Sequence, residues 1–232
     1  VWIDHDDLIP SDALPTFSSH AIEACLHKIP GLSNFFIYSN DDILLTKPLS
    51  PETFFYYNGI AKVRMEPYGN VNGEVCNGDP DYLNAARNST KLLENKFGKT
   101  PTQLHTHSPQ SMRVDILLQI EKEFHVDFDK TIHNKFRSLE DISVTSYLYQ
   151  HYAILQGNAL PDESKTEMII ERHNYRKKFK NILELLSKKQ YTDLPISVCI
   201  NDGADSHLNE AWNLAVIEFL EAAFPERSSY EN

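Results

Sequence analysis

The sequence has no apolar run approaching the roughly 20 residues that a membrane-spanning helix requires, and nothing in it reads as such a span. Cysteine is scarce. Cys25, Cys76 and Cys199 are the only three in 232 residues, odd in number and far apart. That spacing predicts neither a disulfide framework nor a zinc site and points to a reducing compartment. Positive charge is short as well: 22 Lys and Arg stand against 33 Asp and Glu, a formal net charge of −11. This balance, with no basic stripe, argues against a nucleic-acid surface. An acidic chain that handles phosphate must rely on a metal ion or on a few well-placed cations. There is no internal repeat, and 41% hydrophobic with 24% charged residues is ordinary globular composition.

What the chain does have is an alternation of short β-rich runs with helical periodicity. Phe35-Phe36-Ile37-Tyr38, Ala61-Lys62-Val63-Arg64-Met65 and Ile196-Ser197-Val198-Cys199-Ile200 read as buried strands, and Val1-Trp2-Ile3 as the tail of another. Ser18 or Ser19 is placed to cap a helix in which Ile22, Leu26 and Ile29 recur at helical spacing. Ser108-Pro109 predicts the cap and first turn of a helix carrying Val114, Leu117, Ile120 and Phe124. Ser138-Leu139-Glu140-Asp141 resembles a capping box leading into a helix from Ile142 to Leu155. Arg176 to Lys189 forms a basic amphipathic pattern, and Asp205 or Ser206 precedes a last helix through Trp212, Val216, Phe219 and Leu220. Tyr68 to Pro101, rich in Asn, Gly, Asp and Pro, reads as a long loop or lid, and Ala159 to Asn174 as a second exposed connection. The expectation is an α/β fold: one domain with a Rossmann-like mixed sheet, flanking helices and 68–101 as a loop or lid insertion.

Candidate chemistry sits at element ends. Asn40-Asp41-Asp42 follows one strand and Asn201-Asp202-Gly203 another, and ligand crevices of open α/β sheets lie beyond the carboxyl ends of strands. One carboxylate of the Asp41–Asp42 pair could bind a divalent cation while the other holds or deprotonates a hydroxyl; the same residues are also ordinary turn formers. His107 lies just outside the helix expected after Ser108, where free N–H groups favour an anion, with His105 as a possible partner. Arg137 precedes the Ser138 cap, and a guanidinium beside a helix terminus suits a diphosphate. Asn201 and Asp202 could ligate metal or contact a ribose. Together these residues describe a phosphate-handling α/β enzyme.

Three stretches carry a resemblance to a known family. Leu14-Pro15-Thr16-Phe17-Ser18-Ser19-His20-Ala21-Ile22-Glu23, continuing through Leu26-His27-Lys28-Ile29-Pro30-Gly31-Leu32-Ser33 to Phe36-Ile37-Tyr38-Ser39-Asn40-Asp41-Asp42, resembles the second conserved region of the Stealth proteins. His107-Ser108-Pro109, then Phe124, Phe128, Thr131, Arg137, Glu140 and Asp141, resembles the third. Cys199-Ile200-Asn201-Asp202 with Phe224-Pro225 and Tyr230-Glu231 resembles the fourth. The family's first region, an acidic TWVDG-like segment, is not found and would lie before Val1. Residues 1–232 thus read as a single Stealth-type catalytic domain holding regions 2 to 4.

The resemblance implies a hexosamine-1-phosphate transferase. An acceptor hydroxyl attacks the β-phosphorus of a UDP-N-acetylhexosamine such as UDP-GlcNAc or UDP-ManNAc, UMP leaves, and a capsular polysaccharide gains a phosphodiester. It implies Asp42 or His107 as general base with the other orienting the phosphate. Arg137 neutralises the transferring group, and Asp41 with Asp202 binds Mg²⁺ or Mn²⁺. His20, Glu23, Asn40 and Asn201 become substrate contacts or their supports. A bacterial, cytoplasmic enzyme at the inner face of the membrane follows, with peripheral membrane association and a homo-oligomer as possible partners. Two other readings stay open: a metal-dependent glycosyltransferase releasing UDP, and a non-catalytic glycan-binding fragment.

Overall fold

Short strands, each of three to five residues, set the architecture. The computed structural model describes residues 1–163, 167–201 and 208–227. Within them the strands form one mixed three-stranded sheet and three two-stranded pairs, among helices, so the chain is α/β. Contacts separate the chain into two compact units. The first comprises Val1–Tyr38, Ser50–Thr106 and Gln110–Ser164; the second comprises Ser39–Leu49, His107–Pro109 and Lys165–Asn232.

In the second unit Glu167–Ile170, the helix Tyr175–Ser187 and Ser197–Ile200 make a βαβ crossover whose strands are parallel, as such a connection requires. Ile43–Leu45 joins the same sheet antiparallel to Ser197–Ile200. One face of this sheet buries Ile170 and Val198 against Phe179, Ile182, Trp212 and Phe219. Phe179 and Phe219 stack with ring centroids 4.2 Å apart. Each of these fully buried side chains stabilises the unit by about 1.5–3 kcal/mol relative to exposure. The helix Glu210–Ala223 supplies Trp212 and Phe219 and is capped by Asn209, whose Oδ1 accepts from the Trp212 amide at 3.0 Å. Asp205 and Ser206, expected as its cap, lie outside the described residues.

In the first unit Phe35–Tyr38 pairs antiparallel with Gln110–Arg113, Ala61–Val63 pairs parallel with Ala159–Pro161, and Met65–Gly69 pairs with Gln103–His105. Helices Val114–Glu123, His125–His133 and Tyr149–Leu155 pack around them, and Tyr147, Tyr149 and Tyr152 are fully buried. Several local expectations change. Val1–Ile3 is not a strand. The helical pattern from Ser19 breaks into a short helix, Ser19–Glu23, and a 3₁₀ turn, Leu26–Lys28. Residues 68–101, expected as a loop, contain a 17-residue helix, Asp81–Phe97. Its buried residues are Asn84, Ala85, Ala86, Ser89 and Leu93, and Leu83, Leu92 and Phe97 pack beside them on the core. The connection Ala159 to Asn174 holds two of the strands just described.

His151 connects this packing to pH. It is buried, and its Nε2–H donates to the Gln103 carbonyl at 2.7 Å. Burial lowers its pKa from 6.5, only partly opposed by that bond. The unfolded chain therefore binds the proton more readily, and this contribution to stability is complete above about pH 6.5 and is lost as pH falls through the lower folded-state value. Urea unfolding at pH 7.5 and 5.0 is expected to show a loss of stability on acidification, and the loss is expected to be smaller in His151→Gln.

Candidate active site

The two parallel strands of the second unit end together, with Ile170 opposite Ile200. The antiparallel third strand enters from that same end, with Ile43 opposite Cys199. The Ile200 amide donates to the Asp42 carbonyl at 2.9 Å, which fixes Asp42 at the carboxyl-end rim. Strand alternation does the rest. Val198 and Ile200 pack on the Trp212 core, so Cys199 turns to the opposite face, toward Asp42.

His107 Nε2 lies 3.0 and 3.1 Å from the two Asp42 carboxylate oxygens, and the Cys199 thiol donates to Asp42 Oδ2 at 3.3 Å. The Asp42 and His107 side chains are 29% and 41% exposed, open enough to meet a substrate, whereas Cys199 is buried. Burial, reinforced by the Asp42 charge, pushes the Cys199 thiol up to about 12, so it stands as a neutral donor. With Nε2–H directed at the carboxylate, the Nδ1 lone pair of His107 can take a proton while Asp42 stabilises the imidazolium. Asp42, His107 and Cys199 also present ligand atoms that lie within 4.8 Å of one another, a group that could hold a metal ion.

The expected metal pair fares differently. Asp41 is exposed in the turn, and Asp202 lies outside the described residues. A carboxylate, an imidazole and a thiol do not suit Mg²⁺, which takes oxygen ligands. Asn40 shapes the turn, its carbonyl accepting from the Ile43 amide at 3.2 Å, and the exposed Asn201 donates its amide to the Ile170 carbonyl at 3.1 Å.

Other predicted residues gather in the first unit. His20 Nδ1 lies 3.0 Å from Asp141 Oδ2, with both side chains buried. Asp141 also accepts from Asn134 Nδ2 at 2.7 Å and from the Ser138 amide at 2.9 Å. Next to His20, Ser19 Oγ accepts from the exposed Arg137 guanidinium at 2.9 Å. Both carboxylate oxygens of Glu23 are taken, by Tyr38 Oη at 3.1 Å and Thr145 Oγ1 at 2.6 Å. Glu23 therefore anchors the end of the strand Phe35–Tyr38.

Two placements are corrected. His107 does not stand at a helix N-terminus, because Gln110–Arg113 is a strand and the helix starts at Val114. Nor does Arg137: Ser138 to Asp141 is a turn, and the chain becomes helical at the π-turn Val144–Leu148. His105 belongs to the first unit, where its Nδ1 bonds the Thr106 carbonyl at 2.5 Å. Sequence reasoning missed Cys199 as a partner of Asp42, and Tyr38, Thr145 and Asp141 as supports. The available signal for Cys199 was its place on the strand, out of phase with the apolar Val198 and Ile200.

Residues 1–63 match Stealth protein CR2, conserved region 2, and residues 106–154 match Stealth protein CR3, conserved region 3. The chain belongs to the Stealth family. The matched stretches hold His20, Glu23, Asn40, Asp41 and Asp42, then His107, Arg137 and Asp141. The chain is 60% identical over 230 residues to a capsular polysaccharide phosphotransferase, SacB, of Neisseria meningitidis serogroup A, covering 99% of this chain and 42% of SacB. It is 35% identical over 232 residues to an exopolysaccharide phosphotransferase of Nocardia farcinica, covering 97% of this chain and 44% of that protein. The same identity relates it to the exopolysaccharide phosphotransferase CpsY of Mycobacterium tuberculosis, of which 42% is covered. This Stealth chain thus spans less than half the length of these relatives. No helix among its described residues is long and apolar enough to cross a membrane.

The Asp141 cluster yields a stability prediction. Asp141→Ala leaves His20, Asn134 and the Ser138 amide without their buried acceptor and is expected to cost about 3–5 kcal/mol in urea unfolding. Ser19→Ala, which removes only an exposed bond to Arg137, is expected to stay within about 0.5 kcal/mol of the parent.

Proposed function

We propose that this chain carries the transfer site of a sugar-1-phosphate transferase of capsule synthesis, and that the Asp42–His107 pair is its general base. The observation that carries the reading is the 3.0–3.1 Å contact of His107 Nε2 with both oxygens of Asp42 at the carboxyl end of parallel strands. An acceptor hydroxyl gives its proton to His107 Nδ1 as its oxygen bonds the β-phosphorus of a UDP-N-acetylhexosamine. The bond from that phosphorus to the bridging oxygen breaks, and UMP leaves with the electron pair. The product is a phosphodiester between two sugars. Asp42 holds the ring and stabilises the imidazolium, the role a carboxylate plays beside a catalytic histidine.

Arg137, in the first unit, is a delocalised, permanently charged group whose fork suits a phosphate, which supports a phosphate-binding role for that unit. Its exposed position leaves the guanidinium available, with one of its nitrogens on Ser19. His20 of the same unit is oriented by Asp141 through Nδ1. The names of the relatives, phosphotransferases of capsular polysaccharide and exopolysaccharide, support the reaction class.

The test is the identity of the nucleotide product. The chain, alone and within a polypeptide of its relatives' length, is incubated with UDP-GlcNAc or UDP-ManNAc, a capsule oligosaccharide and Mg²⁺. Acceptor-dependent release of UMP is expected, falling about 10²–10⁴-fold in His107→Ala. UDP in place of UMP would establish glycosyl transfer instead, and full turnover in His107→Ala would remove the base assignment.

A further inference from the structure

The donor set at the sheet end disagrees with the oxygen-loving metal that the family resemblance implies. Asp42, His107 and Cys199 supply one carboxylate oxygen, one imidazole nitrogen and one sulfur, from three separate chain segments. Zinc-class ions take this mixture, three protein ligands with a fourth position left to water. The spacing is already close to that of a ligated ion. Oxygen to nitrogen is 3.0–3.1 Å and oxygen to sulfur is 3.3 Å, while ligands about 2.0–2.3 Å from a tetrahedral centre stand about 3.2–3.6 Å apart.

The surroundings favour a cation. Asp42 contributes a carboxylate charge to the cluster, in contact with both other ligand atoms. His107 and Asp42 are partly open to solvent, which gives an ion a way in. The backbone of two of the three ligands is fixed by the sheet, through the Ile43–Cys199 pairing and the bond from the Ile200 amide to Asp42.

We propose that Asp42, His107 and Cys199 bind a thiophilic divalent ion of the zinc class, and that its binding switches the enzyme off by occupying the base. The first half rests on the cluster alone; the second rests on the reading of Asp42–His107 as the base. When the ion is bound, the carboxylate and imidazole that would accept the hydroxyl proton are both committed as ligands. The site then acts as a metal-sensitive brake, and Cys199 is the residue that selects a thiophilic ion over Mg²⁺.

Co²⁺ is the probe, because on binding it displaces the Cys199 thiol proton to solvent, and the resulting thiolate ligand gives it an intense near-ultraviolet charge-transfer absorption independent of any turnover. Chelator-treated chain titrated with Co²⁺ is expected to develop that absorption with one ion per chain, and Zn²⁺ is expected to displace it. Cys199→Ser is expected to abolish it. His107→Gln, at a partly exposed position outside the sheet core, is expected to weaken Co²⁺ binding about tenfold or more. Absence of the absorption in the parent chain, or its survival in Cys199→Ser, would overturn the site. In the presence of Mg²⁺, Zn²⁺ is expected to suppress nucleotide release by the parent at least tenfold, and much less in Cys199→Ser relative to its own zinc-free rate. Binding without suppression would overturn the brake and leave the metal site standing. Binding with no turnover on any donor would instead count against the transferase reading, so the two failures remain distinct.

Discussion

Everything at the candidate site depends on one backbone pairing, that of Ile43–Leu45 with Ser197–Ile200. Asp42 and Cys199 are 157 positions apart, yet this three-residue ladder puts them in contact. Closing so long a loop costs little more than closing a moderate one, since the entropy grows only with the logarithm of length. A ladder this short cannot meet even that cost by itself. What supports it is the core beneath, Val198 against Trp212 and Phe179, and a clamp at the far end of the strand, where Lys47 Nζ donates to the Leu194 carbonyl at 2.7 Å and the Tyr191 carbonyl at 3.2 Å. A change in the core of this unit would therefore shift the site without touching any of its residues.

The first unit organises its functional candidates by a different device, a buried polar network in place of a sheet end. Asp141 is fully buried and saturated by His20, Asn134 and the Ser138 amide. Glu23 is saturated by two hydroxyls. Fully partnered networks of this kind hold rotamers fixed, because every alternative leaves a group unsatisfied at a cost of about 1–3 kcal/mol. The same saturation argues against Glu23 as a direct substrate contact, since both its oxygens are already committed. His20 keeps one ring nitrogen uncommitted, and Arg137 keeps most of its donors.

The legible parts of the fold were those with strong local signals. Phe35–Tyr38 and Ser197–Ile200 stand out as β-rich runs, and the helices through Phe179 and through Trp212 show their apolar spacing. Asp81–Phe97 escaped because the residues around it, Asn70 to Pro80 and Gly98 to Pro101, are rich in Asn, Gly, Asp and Pro and gave the whole segment the composition of a loop. Ser108-Pro109 misled for the opposite reason. A good helix-start pair precedes a strand, because Gln110–Arg113 finds its partner in Phe35–Tyr38, which local propensity does not register. At the site, the acidic tripeptide, His107 and Arg137 were visible as residue types at element ends. Cys199 was discounted because its spacing from other cysteines is wrong for zinc. That rule covers ligands supplied by local motifs; here the other two ligands are brought in by tertiary structure.

Net charge limits how the proposed reaction can work. Transfer of a phosphoryl group concentrates negative charge on its oxygens, and the chain already carries −11. A histidine–aspartate base supplies proton transfer worth about 10²–10⁴ in rate but no positive charge before the proton moves. The remaining stabilisation has to come from cations placed where the charge develops. Among the candidates of the first unit Arg137 is a cation, and its guanidinium keeps its charge at every working pH. The Asp42–His107–Cys199 group supplies none in its metal-free form, being one carboxylate, one imidazole and one neutral thiol. If a cation entered there it would neutralise the site and consume the base in the same act. Base catalysis at Asp42–His107 and metal occupancy of the same atoms are therefore alternatives, and any Mg²⁺ that assists the transfer must be held by other oxygens.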